Sequence, residues 1–346
     1  MSSSGTHTTH TGTDGRNMTS AAPAGTPAPS DTSRHPLLRG PLWVVWHRHR
    51  NALRAGILVT VLACAFFAYQ RFEVMDFLQT RGGDPTPDDH LLTEFQEKFS
   101  SQFSKDTQFL QIVPAIVGIF FGAPLIAGEQ ERGTIKLLTT QSTGRGKWIA
   151  ASIGLPLTVA VLCTAALTAA FTWLWWPARK VALFGDWLQG GAFESTGPVL
   201  ISMTLFMTSC GIAIGMLVKR VVPAMVLTAL FATVTSVAWD ERLRAQLGTL
   251  RSMVWPYNGE SPDLPAGAVQ MDDWVATADG KLYGFSTCAG DNTEACRAEL
   301  GIVNRVTQYF APDQMAGMQW LGAGILLALT AAVLTLVVWR ARRRPL

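Results

Sequence analysis

Apolar residues in this chain are gathered into six blocks, each long enough to cross the hydrocarbon core of a membrane as a helix. Polar or charged segments separate the blocks, and the pattern predicts an all-α polytopic membrane protein with six transmembrane helices. The predicted spans are Leu53–Tyr69, Phe109–Ala127, Trp148–Trp176, Val199–Val218, Val221–Trp239 and Met318–Trp339. The third span contains Pro156 and is longer than a bilayer requires, so we expect it to tilt, kink or project.

The segment before the first span changes character along its length. Residues 1–35 are rich in Ser, Thr, Gly, Pro and Ala, which predicts a disordered tail. In Pro36–Arg54, apolar residues recur at helical spacing among arginines, which favours an amphipathic helix lying at the membrane interface. The alternative is that this stretch is the N-terminal extension of the first span.

Basic residues are divided unevenly between the two sides that the spans create. With the N-terminus inside, the inner segments carry 16 of the 28 Lys and Arg residues and only four of the 25 Asp and Glu residues. Because basic residues concentrate in cytoplasmic segments, we predict that both termini, including the basic tail 341–346, lie on the cytoplasmic side of the plasma membrane. The reversed orientation would place nearly all of the acid inside.

Two outer loops have patterns of their own. In the first, Leu92, Phe95, Phe99 and Phe103 form a helical stripe, which either lies on the outer leaflet or extends the second span outward. The third loop, 240–317, is long enough for a small folded cap. Its Cys288 and Cys296 are close in sequence in an oxidising setting, which favours a disulfide over two unpaired thiols.

The sequence lacks the motifs of several enzyme classes. A phosphate-binding loop is missing, because the run 144–147 (GRGK) has the wrong spacing and is followed by Trp148. The metalloprotease, serine-hydrolase and paired-cysteine motifs are missing as well. We therefore expect no enzyme activity, no metal and no cofactor. Apart from Arg54, the predicted spans hold no charged residue, which argues against ion-coupled transport.

The inner segment 128–147 combines charge with an apolar surface. Glu129, Glu131 and Arg132 stand where the second span leaves the lipid. The apolar residues that follow them are Ile135, Leu137 and Leu138. A short helix of this kind can dock into a groove of a soluble partner. The alternative is a plain solvated connector.

The run Ala127–Leu138, with Ser142, Arg145 and Lys147 after it, resembles the hallmark of type-2 ABC exporter permeases. In that family a span ends in a Glu-x-Glu-x-Gly-Thr pattern, and a Leu-rich short helix and a Ser/Thr-x-x-Arg-like turn follow. The resemblance implies that two permease chains, as a homo- or heterodimer, each rest on a separate ATP-binding subunit. Closure of the ATP-bound motor would then rock the spans from inward to outward access.

The resemblance also assigns roles to residues of this chain. The bend would be held by Glu129, Glu131, Arg132 and Gly133, and the coupling helix would be Thr134–Thr140, in which Thr134, Ile135, Leu137 and Leu138 contact the ATPase. The link Lys219–Arg220 would be a second, smaller contact. Ordinary anchoring by inner-side basic residues explains this link equally well.

Two further features concern the spans themselves. The pairs Gly118/Gly122 and Gly211/Gly215 could let helices approach closely, within the chain or across a dimer. Small hydroxyl residues are expected to line a pathway for an amphipathic or lipidic cargo: Thr164, Thr168, Thr172, Ser202, Thr204 and Thr208. A different class of function, a non-transporting sensor or scaffold, would use the loop 240–317 as an extracytoplasmic binding module.

Overall fold

The computed structural model describes residues 41–81, 89–132, 145–179, 187–188, 191–265, 267–290 and 293–343. Six helices in these ranges are long and apolar enough to cross a membrane, which confirms the prediction of six spanning helices. The predicted disordered tail, 1–35, and the last residues of the basic tail lie outside the described residues.

The helices follow the order of the apolar blocks but are longer than several of them. Their bounds are α1 Pro41–Arg81, α2 Asp89–Val117, α3 Ala123–Glu131, α4 Arg145–Ala178, α5 Ala192–Ser195, α6 Val199–Val218, α7 Val221–Ala238, α8 Thr293–Leu300 and α9 Gln314–Arg343. A π-helical turn, Gly118–Gly122, joins α2 to α3 without a break. Helix α7 continues through a π turn, Trp239–Leu243, and a 3-10 turn, Arg244–Leu247.

Helix α1 contains both the basic N-terminal stretch and the first span. It runs unbroken from Pro41 to Arg81. From Pro41 onward the basic stretch and the first span are therefore one continuous helix, in line with the alternative, and residues 36–40 of the predicted interface helix lie outside the described residues. A bilayer needs only about 20 helical residues, so α1 is longer than a single crossing requires.

Helices α1 and α2 pack together through aromatic rings beyond the predicted spans. The rings of Phe77 on α1 and Phe99 on α2 meet edge to face, with centroids 5.4 Å apart. Phe95 and Phe103 belong to the same buried cluster, which also contains Phe171 of α4. The aromatic stripe in the first outer loop therefore extends the second span as a helix, as one of the two alternatives predicted.

Helix α6 is the most buried of the spans, and glycines bring it against the π turn and α3. A Cβ atom on Gly211 would lie 2.4 Å from the carbonyl oxygen of Gly118, and one on Gly215 would lie 2.3 Å from that of Ala123. On the facing element, a Cβ on Gly122 would lie 2.6 Å from the carbonyl oxygen of Thr208. The two glycine pairs thus face each other within the chain, and backbone contacts backbone.

The segment between α7 and α9 is not helical throughout, so the all-α prediction is wrong there. It forms a four-stranded antiparallel sheet in the order β1-β4-β2-β3. The strands are β1 Arg251–Pro256, β2 Val269–Thr277, β3 Leu282–Gly284 and β4 Ile302–Phe310. Val, Ile and aromatic residues enrich β4, and such side chains fit a pleated surface better than a helix. A disulfide joins Cys288, in the turn after β3, to Cys296 of α8, with Cα atoms 5.7 Å apart.

Candidate coupling site

The structure describes half of the coupling residues that the sequence indicates. Glu129 and Glu131 lie at the end of α3, and Arg132 follows them. Lys219 and Arg220 form the whole link between α6 and α7. The remaining candidates lie outside the described residues: Gly133, Thr134, Ile135, Leu137 and Leu138, with the rest of the predicted coupling helix Thr134–Thr140.

A hydrogen bond joins the end of α3 to the start of α7. The backbone N–H of Val221 donates to Oε2 of Glu131 over 3.0 Å. The first N–H groups of a helix have no partner inside it, and a carboxylate placed there is also favoured by the helix dipole. Glu131 thus caps a helix that begins 90 positions later in the chain.

Two of the other early positions of α7 need no cap from another span. Pro223 has no N–H to satisfy, and the N–H of Ala224 donates to the carbonyl oxygen of Arg220 over 3.2 Å. The side chain of Arg220 makes no capping bond to this helix among the described residues. The cap at Val221 is therefore supplied by Glu131 from a different span.

The link between α6 and α7 is a tight turn that presents two cations. Lys219 has φ 61°, in the left-handed region, and its N–H donates to the carbonyl oxygen of Gly215 over 3.2 Å. This closure of a helix end normally uses glycine, because a side chain is disfavoured there by about 1–2 kcal/mol. Lys219 and Arg220 are both exposed, so their charges are available to a partner.

Small side chains pack α3 against α7 next to the Glu131–Val221 hydrogen bond. Ala123 and Ala127 of α3 are fully buried against Ala224 of α7. A Cβ on Gly128 would lie at an ordinary van der Waals distance, 3.7 Å, from Cγ2 of Val221, so the two helices are in contact next to the cap. Such close packing leaves little room for α3 and α7 to move independently.

The three charged residues at the end of α3 face different surroundings. Glu129 is only 6% exposed, whereas Glu131 and Arg132 are exposed. Between the two glutamates, both amide atoms of Gln130 are buried and have no hydrogen-bond partner among the described residues. The structure therefore gives Glu129 an interior position, Glu131 a bridging one and Arg132 a surface one.

A second polar cluster, absent from the sequence-based predictions, lies at the opposite end of the spans. Glu194 of the short helix α5 accepts hydrogen bonds from Nη1 of Arg244 (2.9 Å) and Nε1 of Trp239 (3.2 Å) through Oε1. Its Oε2 accepts a weaker bond from Nε2 of Gln111 on α2 (3.4 Å). We call these four residues the Glu194 network. It joins α2, α5 and the end of α7.

The ion pair within the Glu194 network is almost fully enclosed. The side chains of Glu194 and Arg244 are 8% and 9% exposed. Burial raises the pKa of Glu194 above its usual range, and the guanidinium of Arg244 opposes that rise. A small cavity of about 50 Å³ is lined by Glu194 together with Pro114 and Ser236. The partners are 50 positions apart in sequence, and no local pattern marks either of them.

Helix α5 is also fixed to the last span. Nε2 of Gln319 on α9 donates to the carbonyl oxygens of Phe193 (2.9 Å) and Thr196 (2.8 Å). All four residues of α5 are buried. This short helix therefore connects the far ends of α2, α7 and α9.

Five of the six hydroxyl residues expected to line a pathway are buried within the chain, and the sixth, Thr172, is half-buried. Thr164, Thr204 and Thr208 are at most 2% exposed, and each donates to the carbonyl oxygen four positions earlier in its own helix. They do not line an open pathway within one chain. Among the described residues, no group of three or more His, Cys, Asp or Glu side chains could hold a metal ion.

Comparison with known proteins identifies one family. The model of the family described as ABC-2 membrane transporter related matches residues 57–244, more than half of the 346-residue chain. The matched part runs from within α1 to Arg244, and so contains both the α3–α7 contact and all members of the Glu194 network. No curated protein and no solved structure matches the chain.

Proposed function

The chain belongs to the family of ABC-2 membrane transporter related proteins, and on that premise we propose that it is the permease subunit of an ATP-driven exporter. It is a multi-pass membrane protein, and permeases of this family generally work with an ATP-binding subunit. In our proposal this chain has no ATPase site of its own. A separate subunit binds and hydrolyses ATP and pushes on the inner ends of the spans.

The observation that carries this proposal is the hydrogen bond between Glu131 and Val221. It joins the two inner segments that the sequence singles out, the bend after α3 and the Lys219–Arg220 link. Arg132, Lys219 and Arg220 are exposed around it. A docked partner could therefore displace α3 and α7 together.

The packing of the spans supports transmission of such a push. Helices α2 and α3 are continuous through the π turn and together form one long helical rod, Asp89–Glu131. The facing glycines pack this rod closely against α6. At 1.5 Å per residue, Gln111 lies about 30 Å along the rod from Glu131. Gln111 contacts Glu194, so one rod links the coupling site to the far-end polar network.

Orientation, assembly and cargo complete the proposal. The distribution of Lys and Arg supports a topology with both termini on the cytoplasmic side of the plasma membrane and the sheet on the outer side. Two chains, identical or related, would pack side by side. The cargo would be amphipathic or lipidic, since the predicted spans hold apolar and small hydroxyl residues and, apart from Arg54, no charged residue.

Co-purification tests the partner directly. The full-length tagged chain, extracted from native membranes in mild detergent, should retain an ATP-binding protein with ATPase activity. The chain purified alone should not be labelled by a photoreactive ATP analogue. Labelling of the isolated chain, or the absence of any ATP-binding partner, would contradict the proposal.

One observation favours a second candidate, a sensor or scaffold without transport. The segment between α7 and α9 is a folded sheet with an open cleft, not a simple connector. A binding module of this kind could act without translocation. The absence of an ATP-binding partner in the same purification would favour this candidate.

A further inference from the structure

The antiparallel sheet carries an open cleft of about 200 Å³. Strands β1 and β4 form its floor, where Trp255 lies opposite Arg305 and Met253 lies opposite Thr307. The turn after β3 adds Phe285 to the wall. Phe285 is 57% exposed, so the cleft offers an unshielded aromatic surface next to a cation.

The guanidinium of Arg305 has few hydrogen-bond partners inside this cleft. Its Nε atom is buried and has no hydrogen-bond partner among the described residues. Within the same ranges, the guanidinium has no carboxylate within ion-pair distance. It lies instead over the rings of Tyr257 and Phe285, 4.4 Å and 5.7 Å from their centroids. A buried donor without an acceptor is costly.

The carboxylate in the cleft belongs to Asp273, and among the described residues it forms no ion pair with Arg305. Oδ1 of Asp273 accepts from the hydroxyl of Thr307 over 2.5 Å. Its Oδ2 accepts from Nε2 of Gln270 over 2.7 Å. Asp273 is therefore held by two neutral donors of the sheet.

A second guanidinium increases the positive charge at this end of the sheet. Arg297 of α8 lies over the same ring of Tyr257, with its Cζ 4.0 Å from the centroid. Nη1 of Arg297 donates to the side-chain oxygen of Asn258, a neutral group. Two guanidiniums thus share one aromatic ring, and like charges so close repel each other unless an anion lies near.

We propose that this cleft binds a small organic carboxylate that carries one ring or a branched apolar group. The planar guanidinium of Arg305 matches a carboxylate with paired hydrogen bonds. Trp255 and Phe285 provide apolar walls for the ring, and the volume fits one such group. The site is independent of transport, because every group in it belongs to the sheet and its loops.

Titration of the full-length chain in nanodiscs tests the proposal. The probe is N-acetyl-L-phenylalanine, and its neutral amide, N-acetyl-L-phenylalaninamide, is the matched ligand. By isothermal calorimetry we expect the acid to bind with a Kd of about 1 mM or tighter. The amide should bind at least about tenfold more weakly, because an acceptor charge is lost.

Variants locate the binding in the cleft. Arg305→Gln should weaken binding of the acid by about tenfold or more. Arg251→Gln is the control, since Arg251 lies on the same sheet but is exposed and paired with Asp313 at 3.0 Å. It should change the affinity less than twofold, and circular dichroism should show both variants folded.

Three results would overturn the proposal. The acid and the amide could bind equally, which would show that the charge is not recognised. Both arginine variants could weaken binding alike, which would remove the assignment to the cleft. The acid could also fail to bind the folded wild-type chain. None of these results bears on the co-purification of an ATP-binding subunit, so the two proposals fail separately.

Discussion

The carboxylate of Glu131 accepts a hydrogen bond from the backbone N–H of Val221, over 3.0 Å. This bond caps one span with a side chain from another. It lies where the sequence places the contact with a motor subunit, and buried alanines of α3 and α7 pack together beside it. The proposed function therefore rests on this contact between α3 and α7, not on a catalytic centre.

Removal of the cap should weaken the contact between α3 and α7. Glu131→Ala should lower the free energy of unfolding by about 1 kcal/mol, whereas Glu131→Gln keeps an oxygen acceptor and should lose less. Thermal unfolding in detergent, followed by tryptophan fluorescence, measures the difference. Glu260→Ala, in an exposed loop, is the control and should leave the midpoint unchanged. An Ala variant as stable as the wild type would show that the cap is not formed.

The facing glycines predict an effect opposite to the usual one. In a helix, replacing glycine by alanine normally stabilises by about 0.5–1 kcal/mol. At Gly215 the new methyl would meet the carbonyl oxygen of Ala123, so Gly215→Ala should instead destabilise by about 1–3 kcal/mol. Gly324→Ala is the matched control, because nothing lies within 4 Å of a Cβ there. Equal unfolding midpoints for the two variants would contradict the close approach of α3 and α6.

The buried ion pair predicts non-additive mutations. Arg244→Met leaves Glu194 without its cation in an enclosed site, which should destabilise the chain by about 3–5 kcal/mol. The double variant Glu194→Gln/Arg244→Met removes both charges and should recover much of that loss. A double-mutant cycle of unfolding free energies measures the coupling. Additive effects would mean that the two side chains do not interact.

Labelling of introduced thiols tests the orientation. Arg220→Cys places a thiol on the exposed link between α6 and α7, and Ser252→Cys places one on an exposed position of β1. In intact cells, a membrane-impermeant maleimide should label Ser252→Cys and not Arg220→Cys. The parent chain gives the baseline for its free cysteines Cys64, Cys163 and Cys210. The reverse pattern would put the proposed coupling site on the wrong side for an ATP-binding subunit.

The number of spans and one of their contacts could be predicted from local pattern. Apolar blocks of membrane length predict six spans, because the bilayer selects helices by length and hydrophobicity. The Gly211/Gly215 pair indicated a close helix contact, although spacing alone could not say whether its partner lay within the chain. The short sequence separation of Cys288 and Cys296 and their predicted location outside the membrane indicate a disulfide, and the structure contains it.

Other features depend on groups that are distant in sequence. The cap on Val221 uses a backbone N–H, which no side-chain pattern reveals. Glu194 and Arg244 are ordinary loop residues until the fold encloses them. The strands are hard to predict because β2 is interrupted by Asp272 and Asp273 and lacks clean alternation. In β4, Ile302, Val306 and Phe310 are buried at even spacing, and the β-branched and aromatic residues of this strand are the available signal.

The most direct test of the account follows ATP-driven motion from the coupling site to the far end of the spans. A thiol introduced by Ser236→Cys would line the cavity beside Glu194, and its labelling rate is measured in the nanodisc complex with the ATP-binding subunit. We expect ATP to change this rate, and we expect the added substitutions Glu129→Ala and Arg132→Ala to abolish the change while ATP is still hydrolysed. A labelling rate that ATP leaves unchanged, or the same ATP response in the triple variant, would contradict it.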